Sequence, residues 1–408
     1  MNRTNTTLEQ PNISATGTDS ESVVVNDLIM NKNKNTAACD VIVTYCWNRV
    51  GYNILRSLSD KGLKVWAADT SRHNICSMSR FCAGSFVYPD PFTREEEFIQ
   101  TLLQKIAELR PRVLMPTHDE GIIIARHRHR FPKDLIIPIE SEEKLNSLSN
   151  KRIATELAGQ AGVPVPATYA NIGQVQDFPV VFKTVTGNSA KGVFFPKNDH
   201  ELSELDARYR GKEILIEEWL KGNDVCVDCL RWGDFFQATV YRALVTKTDG
   251  GGTTTQREII SMPGIVEYAR RFLDSVDYNG VCGLDFRYDK DSGRIGFIEM
   301  NARFTGGLAT PVAAGFDIPY MLYTLATGGE CTKADIKVGT STKWILGDVI
   351  TLVGRLLSFN IRKEEMRKVA KFSGFDAFDD FRADDKKAIL GEMAYYLSKL
   401  LKNGKLNP

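Results

Sequence analysis

Asp285, Glu299, Asn301 and Arg303 form the pattern D-x13-E-x-N-x-R, carried by the stretches VCGLDFRYD and GFIEMNARFTGG. Side chains alternate faces along a strand, so Glu299, Asn301 and Arg303 share one face if the second stretch is a strand. The two stretches are joined by the turn-forming DKDSG, and a hairpin centred near Ser292 sets Asp285 opposite Glu299. Directly opposed like charges destabilise a sheet. Two carboxylates and an amide oxygen at one spot suit a hard divalent cation, which prefers oxygen ligands. Arg303, one step along, offers a planar fork of donors to a phosphoryl group bound to that cation. A merely solvated sheet face accounts for one acid, not for this set.

Two further stretches carry related chemistry. In FPVVFKTVTGNSAKGVFF a strand delivers Lys183, and a small-residue loop follows through Gly187, Asn188, Ser189 and Gly192. Backbone N–H groups on such a loop suit phosphate oxygens, and the lysine adds a point charge. It is not a Walker A loop, because Val193 stands where lysine is required; an ordinary hairpin turn reads the same. In EILIEEWLKGNDVCVDC an apolar strand ends in Glu217, Glu218, Trp219 and Leu220, with Asp224 after a short turn. A strand edge of that kind offers backbone hydrogen bonds to an adenine and an acid to ribose hydroxyls, although acids after a strand are commonplace.

The elements that must position these residues fall into blocks. From residue 40 the chain alternates strand and helix: DVIVTY, VGYNILRSLSDKG, KVWAADT, then TREEEFIQTLLQKIAELR, whose Thr93 and Glu96 have capping-box spacing. That alternation predicts a parallel, doubly wound sheet over about residues 38–146. Ligands of such sheets sit beyond the carboxyl ends of the strands, here Asn48 and Arg49, Asp69 to Ser71, and Thr117 to Glu120; helix caps or turns are the alternative. No G-x-G-x-x-G follows the first strand, which disfavours a nicotinamide dinucleotide. Residues 147–330 read as α+β with antiparallel hairpins. The last 75 or so residues, from KADIKVG onward, read as mainly helical, and the apolar stripe of KKAILGEMAYYLSKLLKNG as core or subunit contact.

Composition bounds the function. The 408 residues are 43% hydrophobic and 25% charged with a net charge of +1, which makes no electrostatic case for nucleic acid or an acidic membrane. No apolar run is long enough for a membrane-spanning helix. The Asn/Thr/Ser-rich residues 1–37 read as a disordered tail without the features of a signal peptide. Eight scattered cysteines fit a reduced, cytoplasmic protein, and Cys226 and Cys229 point to opposite faces of one strand, which suits neither zinc nor redox chemistry.

Taken together, the order of lysine, small-residue loop, EEWL and D-x13-E-x-N-x-R resembles the ATP-grasp superfamily over about residues 147–330, and the α/β region before it resembles that family's pre-ATP-grasp domain. The resemblance implies an α/β plus α+β chain: a tail (1–37), a doubly wound pre-ATP-grasp domain (38–146), an ATP-grasp domain with antiparallel sheets (147–330) and a mainly helical C-terminal extension (331–408). It implies ATP with Mg²⁺ or Mn²⁺. Lys151 and Lys183 would hold nucleotide phosphates, and Thr184 to Gly192, with Gly187 and Ser189, would cover them. Glu217, Glu218 and Leu220 would belong to the adenine hinge, and Asp224 would take the place of a ribose-binding acid that is usually glutamate. Asp285, Glu299 and Asn301 would hold the metal, and Arg303, with Lys183, would stabilise the transferring phosphoryl group. Thr184 stands where many relatives have proline. TKTDGGGTTTQRE, entered by Arg242 and Lys247, is a candidate second lid.

The activity so implied is a carboxylate–amine ligase that makes an acyl phosphate, with a small carboxylate and an amine as partners, no nucleic acid or membrane, and a homodimer as a family-level expectation. The alternatives are bicarbonate activation, as in carbamoyl-phosphate synthase or carboxylases, and a non-catalytic nucleotide-binding regulator.

Overall fold

The computed structural model describes residues 39–187, 192–248, 251–357, 369–371 and 373–403. The tail expected over residues 1–37 and the loop residues Asn188 and Ser189 lie outside the described residues. The first sheet is built from β1 (Val41–Val43), β2 (Val65–Asp69), β3 (Cys82–Val87) and β4 (Val113–Met115), all parallel, in the order β3-β2-β1-β4. The alternation of faces explains why VIV is wholly apolar. Val41 and Val43 pack with Ile54, Leu55 and Leu58 of the helix Arg49–Asp60, whereas Ile42 packs with Phe98 and Leu102 of the helix Glu95–Leu109 on the other face. The capping box expected at Thr93 does not form. The helix starts at Glu95 without a side-chain cap, and its acids instead bind Arg126 and Arg130, at 2.6 and 2.7 Å from Glu95 and Glu96. Three acids in the first turn meet the helix dipole directly, which makes a hydroxyl cap dispensable.

The second sheet comprises β5 (Thr168–Tyr169), β6 (Val180–Thr184), β7 (Val193–Phe194) and β8 (Ile214–Glu218), antiparallel in the order β5-β8-β6-β7. The helix Asp199–Arg208 buries Leu202 and Leu205 against Phe182 and Ile216 of this sheet.

Seven strands make the third sheet: β9 (Asn223–Trp232), β10 (Phe235–Thr248), β11 (Gly251–Ile260), β12 (Gly280–Tyr288), β13 (Ile295–Asn301), β14 (Ser341–Lys343) and β15 (Ala377–Phe378). Their order is β13-β12-β9-β10-β11-β14-β15, antiparallel except for β14 with β15. Helices Lys151–Gln160 and Pro263–Ser275 cover one face, with Ala154, Ala158 and Phe272 set against Val227, Leu284 and Met300.

The segment after residue 331 carries the helices Ile345–Leu357 and Lys386–Asn403, as its mainly helical pattern predicted, and β14 and β15 extend the third sheet before and after the first of them. A lysine inside β14 hid that strand from a hydrophobicity pattern; Lys343 is buried because Asp348 neutralises it at 2.9 Å. The described residues of TKTDGGGTTTQRE, the candidate second lid, are strand. Residues up to 248 and from 251 onward belong to β10 and β11, and Asp249 and Gly250 lie outside the described residues. All eight cysteines are unbridged. No helix among the described residues is long and apolar enough to cross a membrane.

Candidate functional site

The β12–β13 hairpin sets Asp285 directly across from Glu299, with Gly283 across from Asn301. One register shift interrupts it. Phe286 pairs with Phe297, so Ile298 is the extra residue of a bulge beside Glu299. The freed Ile298 carbonyl accepts a hydrogen bond from Lys183 Nζ at 3.2 Å, which ties the second sheet to the acidic strand. The strand then ends at Asn301, so Arg303 does not continue the strand face as the alternation required. It sits in a bend closed by its own N–H on the Asn301 carbonyl at 2.7 Å. From there Arg303 Nε donates to Asp119 Oδ1 at 2.8 Å, a partner 184 residues earlier in the chain.

The Asn301 amide donates to Asp285 Oδ2 at 3.1 Å. Burial first, and the Glu299 charge second, push the Asp285 carboxyl up to about 7. Glu299 is held on its other side by Lys151 Nζ at 3.2 Å, and the same ammonium donates to the Gly187 carbonyl at 2.6 Å. Lys151 opens its helix under an Asn150 cap, and its own N–H bonds the Val185 carbonyl at 2.8 Å, so the helix start is stitched to the loop after β6. Among the described residues no three His, Cys, Asp or Glu side chains gather at one point. Two opposed carboxylates with an adjoining amide nevertheless fit a divalent cation as donors, because all three offer oxygen ligands.

Lys183 and Glu217 form a second, drier unit. Their charged ends are 2.7 Å apart and both side chains are 2% exposed. Burial raises the Glu217 pKa, and the lysine charge opposes that shift. Glu217 lies inside the ladder, opposite Thr168 of β5 and Val181 of β6, so its carboxylate serves Lys183 and is not an exposed acid after the strand. Glu218 accepts from the Ala167 N–H at 2.8 Å and from Arg294. Leu220 is buried against the hairpin, where a Cβ on Gly296 would lie 2.2 Å from its Cδ1. Asp224 pairs with Arg287 Nη1 at 2.6 Å.

A cavity of about 300 Å³ opens at the end of β4 and runs along the hairpin. The structure brings Lys151, Gly187, Glu299, Asn301 and Arg303 together on its wall. Lys183, Glu217, Glu218, Leu220, Asp224 and Asp285 stand outside it. The wall also includes His118 and Asp119, at a strand end where the doubly wound pattern places ligand-facing residues. Burial and the Arg303 charge hold the His118 imidazole down at about 4, so it is neutral near pH 7.

The other strand-end residues turn out to be scaffolding. Asn48 Oδ1 caps its helix through the N–H groups of Val50 and Gly51, at 2.9 and 3.1 Å. Asp69 accepts from Trp47 and Ser71 N–H, both at 2.9 Å. Glu120 accepts from the Thr44 hydroxyl at 2.7 Å and the Thr117 N–H at 2.9 Å. Burial pushes the Glu120 carboxyl from 4.5 up to about 7. Its folded pKa is therefore raised, so its contribution to stability is fully present below pH 4.5 and is lost as pH rises through 7. Glu120→Gln keeps the acceptor oxygen and removes the titration. Its stability relative to wild type is expected to improve by about 2 kcal/mol between pH 5 and pH 8, read from urea denaturation at both values. A pH-independent difference would contradict this.

Sequence reasoning missed the group that holds the FTGG turn. Arg49 Nε and Arg257 Nη1 both donate to the Gly306 carbonyl, at 3.1 and 3.4 Å, and both guanidinium groups share Asp379 Oδ2. Thr305 donates to the buried Asp228 at 2.7 Å. Arg257 falls in the stretch read as a lid and Asp379 in the stretch read as helical, so no local signal marked either. Arg242 and Lys247, at the entry to the candidate second lid, are both engaged: Arg242 pairs across the strands with Glu258 at 2.6 Å, and Lys247 lies 4.2 Å from the Trp344 ring centre.

Comparison with known proteins adds a family. Residues 210–346 match the family described as "ATP-grasp in the biosynthetic pathway with Ter operon", a span that includes Glu217 to Leu220 and the β12–β13 hairpin but neither Lys151 nor Lys183. Beta-citrylglutamate synthase B of Mus musculus is 27% identical over 220 residues, 49% of this chain and 54% of that protein. The chain spans about half or less of the length of the curated relatives it matches. Among solved structures, a biotin carboxylase–β-γ-ATP complex from Campylobacter jejuni is similar at a TM-score of 0.62 and 15% identity, over 76% of this chain and 75% of that one. An L-amino acid ligase from Bacillus licheniformis is similar at 0.59 and 16%, over 75% and 79%. These likenesses establish the fold, with its parallel sheet, antiparallel sheets and C-terminal helices.

Proposed function

Because this chain belongs to the ATP-grasp superfamily, we propose that it is an ATP-dependent ligase that phosphorylates a small carboxylate and joins the acyl phosphate to an amine, releasing ADP and phosphate. The observation that carries this reading is the meeting of Lys151, Glu299, Asn301 and Arg303 on one cavity, with Asp285 directly behind Glu299. ATP and Mg²⁺ or Mn²⁺ are the proposed nucleotide and metal, in keeping with a neighbour solved with MgADP. A cation on Asp285, Glu299 and Asn301 would screen the phosphate charges.

The chain's own groups do the remaining work. Lys151 holds the Gly187 carbonyl of the loop after β6 and stands beside Glu299, where a transferring phosphoryl group needs a positive charge. Lys183 serves the nucleotide side, fixed in place by Glu217. Gly187 and Ser189 are proposed to cover the phosphates, Glu217, Glu218 and Leu220 to border the adenine, and Asp224 to meet the ribose. Arg303 orients the substrate carboxylate and stabilises the phosphate leaving it. Attack by an amine then forms the C–N bond, expels phosphate and releases one proton. The largely apolar remainder of the cavity wall keeps water from the acyl phosphate.

The division between 38–146 and 147–330 is proposed on the partition into sheets, and 331–408 is proposed as an extension that adds β14 and β15 to the third sheet, with a cytoplasmic location. The homodimer is proposed on the outward side chains Leu390, Met393 and Leu397 of helix Lys386–Asn403, each at least half exposed. Equilibrium sedimentation is expected to give a dimer and Leu397→Glu a monomer; a wild-type monomer would remove the proposal.

The experiment that tests the ligase reading is ADP release across a matrix of carboxylates and amines that includes bicarbonate. Release that needs both a carboxylate and an amine supports it. Release with bicarbonate alone favours the carboxylase-like alternative, to which the biotin carboxylase likeness lends support. ATP binding without ADP release favours the regulator.

A further inference from the structure

Joining an amine to an acyl phosphate sheds one proton, and a cavity that keeps water out has to take it up on a side chain. The titratable residues of the wall are His118, Asp119, Lys151, Tyr278, Glu299 and Arg303. Arg303 keeps its charge in a protein. Lys151 Nζ is held between Glu299, at 3.2 Å, and the Gly187 carbonyl, at 2.6 Å. The Tyr278 hydroxyl donates to the Val281 carbonyl at 2.7 Å, and burial pushes its pKa up. Glu299 is a proposed cation ligand, and Asp119 Oδ1 accepts from Arg303 Nε at 2.8 Å. His118 remains.

The surroundings of His118 suit a proton acceptor. It follows β4, and Tyr45 follows β1, where the strand order β3-β2-β1-β4 reverses; doubly wound sheets bind ligands at that point. The Tyr45 ring stacks on the imidazole, with 5.0 Å between centres and 23° between planes. Tyr45 is left-handed there, at φ 58°, and its N–H donates to the Tyr88 hydroxyl at 2.8 Å. Such a backbone costs a residue other than glycine energy, and strain of this kind collects at functional sites. The imidazole Nδ1 is buried and faces Asp119 Oδ2 at 3.5 Å, so one carboxylate meets both Arg303 and His118. A carboxylate beside Nδ1–H holds that proton in place and leaves Nε2, on the other edge of the ring, as the acceptor.

We propose that His118 is the general base of the amine step and that Asp119 positions its ring, an inference that rests on the ligase reading and gives the released proton a destination. The amine lone pair forms the C–N bond. The bond from the acyl carbon to the phosphate oxygen breaks, its electron pair leaves with phosphate, and the N–H proton passes to Nε2. Burial and the Arg303 charge keep the imidazole neutral near pH 7, ready to accept. An acyl phosphate on Arg303 offsets that charge and moves the imidazole back toward its ordinary range. A nitrogen already bonded to the acyl carbon is far more acidic than a free ammonium, so a weakly basic imidazole suffices.

The test uses the full chain with ATP, Mg²⁺ and the carboxylate and amine that together release most ADP in the matrix. His118→Gln is expected to lower amine-dependent turnover at saturation by about 100-fold, the scale of a lost general base. Scrambling of ¹⁸O out of the β–γ bridge of ATP, which needs the carboxylate but no amine, is expected to fall far less. The pH profile of kcat is expected to lose its acid limb in His118→Gln. In Asp119→Asn the limb is expected at lower pH than in wild type, because the carboxylate no longer supports the imidazolium against Arg303. Amine turnover left intact in His118→Gln, or scrambling and turnover lost together, would overturn the inference and leave the ligase reading standing. Wild-type enzyme that neither scrambles ATP nor releases ADP with any carboxylate would remove both.

Discussion

Replacing Glu299 by alanine is expected to lower substrate-dependent ADP release by about 1,000-fold or more, the scale of losing a preorganised charge-stabilising group, while the protein stays folded. The geometry separates the two effects. Glu299 faces Asp285 across the hairpin and touches Lys151 at 3.2 Å, so its removal takes away a proposed cation ligand and frees the lysine that stands over the loop. Folding loses little, because the same change removes a like charge that pushes the Asp285 carboxyl up. Steady-state ADP release and a thermal melt of the same sample check both halves. Residual activity above a tenth of wild type would remove Glu299 from the site, and a collapsed melt would make it structural.

The second large effect concerns Lys183. Lys183→Met leaves Glu217 buried without its cation, and a broken buried pair costs about 3–5 kcal/mol. Burial already raises the Glu217 pKa with the lysine opposing it; without the lysine it rises further. A raised carboxyl pKa places stability on the acid side, so the loss is expected to be larger at pH 8 than at pH 5. Adding Glu217→Leu removes the stranded carboxyl, and the double variant is expected to regain most of the stability. Its nucleotide turnover is expected to stay lost, because the ammonium beside the Ile298 carbonyl is gone. Urea denaturation of the single and double variants at both pH values measures the first part, and ADP release the second. Equal stability of the two variants would mean that the pair is not the source of the cost.

What could be read from the chain follows from which physics is local. The facing of Asp285 and Glu299 was legible because strand period and turn position together determine register. The first sheet was legible because VIV and VWAAD are buried runs punctuated by helices with clear ends. The bulge at Ile298 was not, since its reason is a lysine 115 residues away that needs a carbonyl. Nor was the path of Arg303, which leaves the strand to meet Asp119. The Arg49–Asp379–Arg257 group joins three distant segments, and each of its members alone resembles any surface charge until all are buried together. The capping box at Thr93 failed for a related reason: tertiary ion pairs claimed the acids that a local motif would have used. Strand-end position did single out Thr117 to Glu120. Only tertiary structure separates His118 and Asp119, which line the cavity, from Thr117 and Glu120, which brace the strand.

The central claim is that a carboxylate oxygen attacks the terminal phosphoryl group of ATP in this site. Carboxylates labelled with ¹⁸O on both oxygens, incubated with enzyme, ATP, Mg²⁺ and an amine, test it directly by mass analysis of the phosphate released. One ¹⁸O is expected in each phosphate formed, with ADP in equal amount. Turnover that releases only unlabelled phosphate would contradict it.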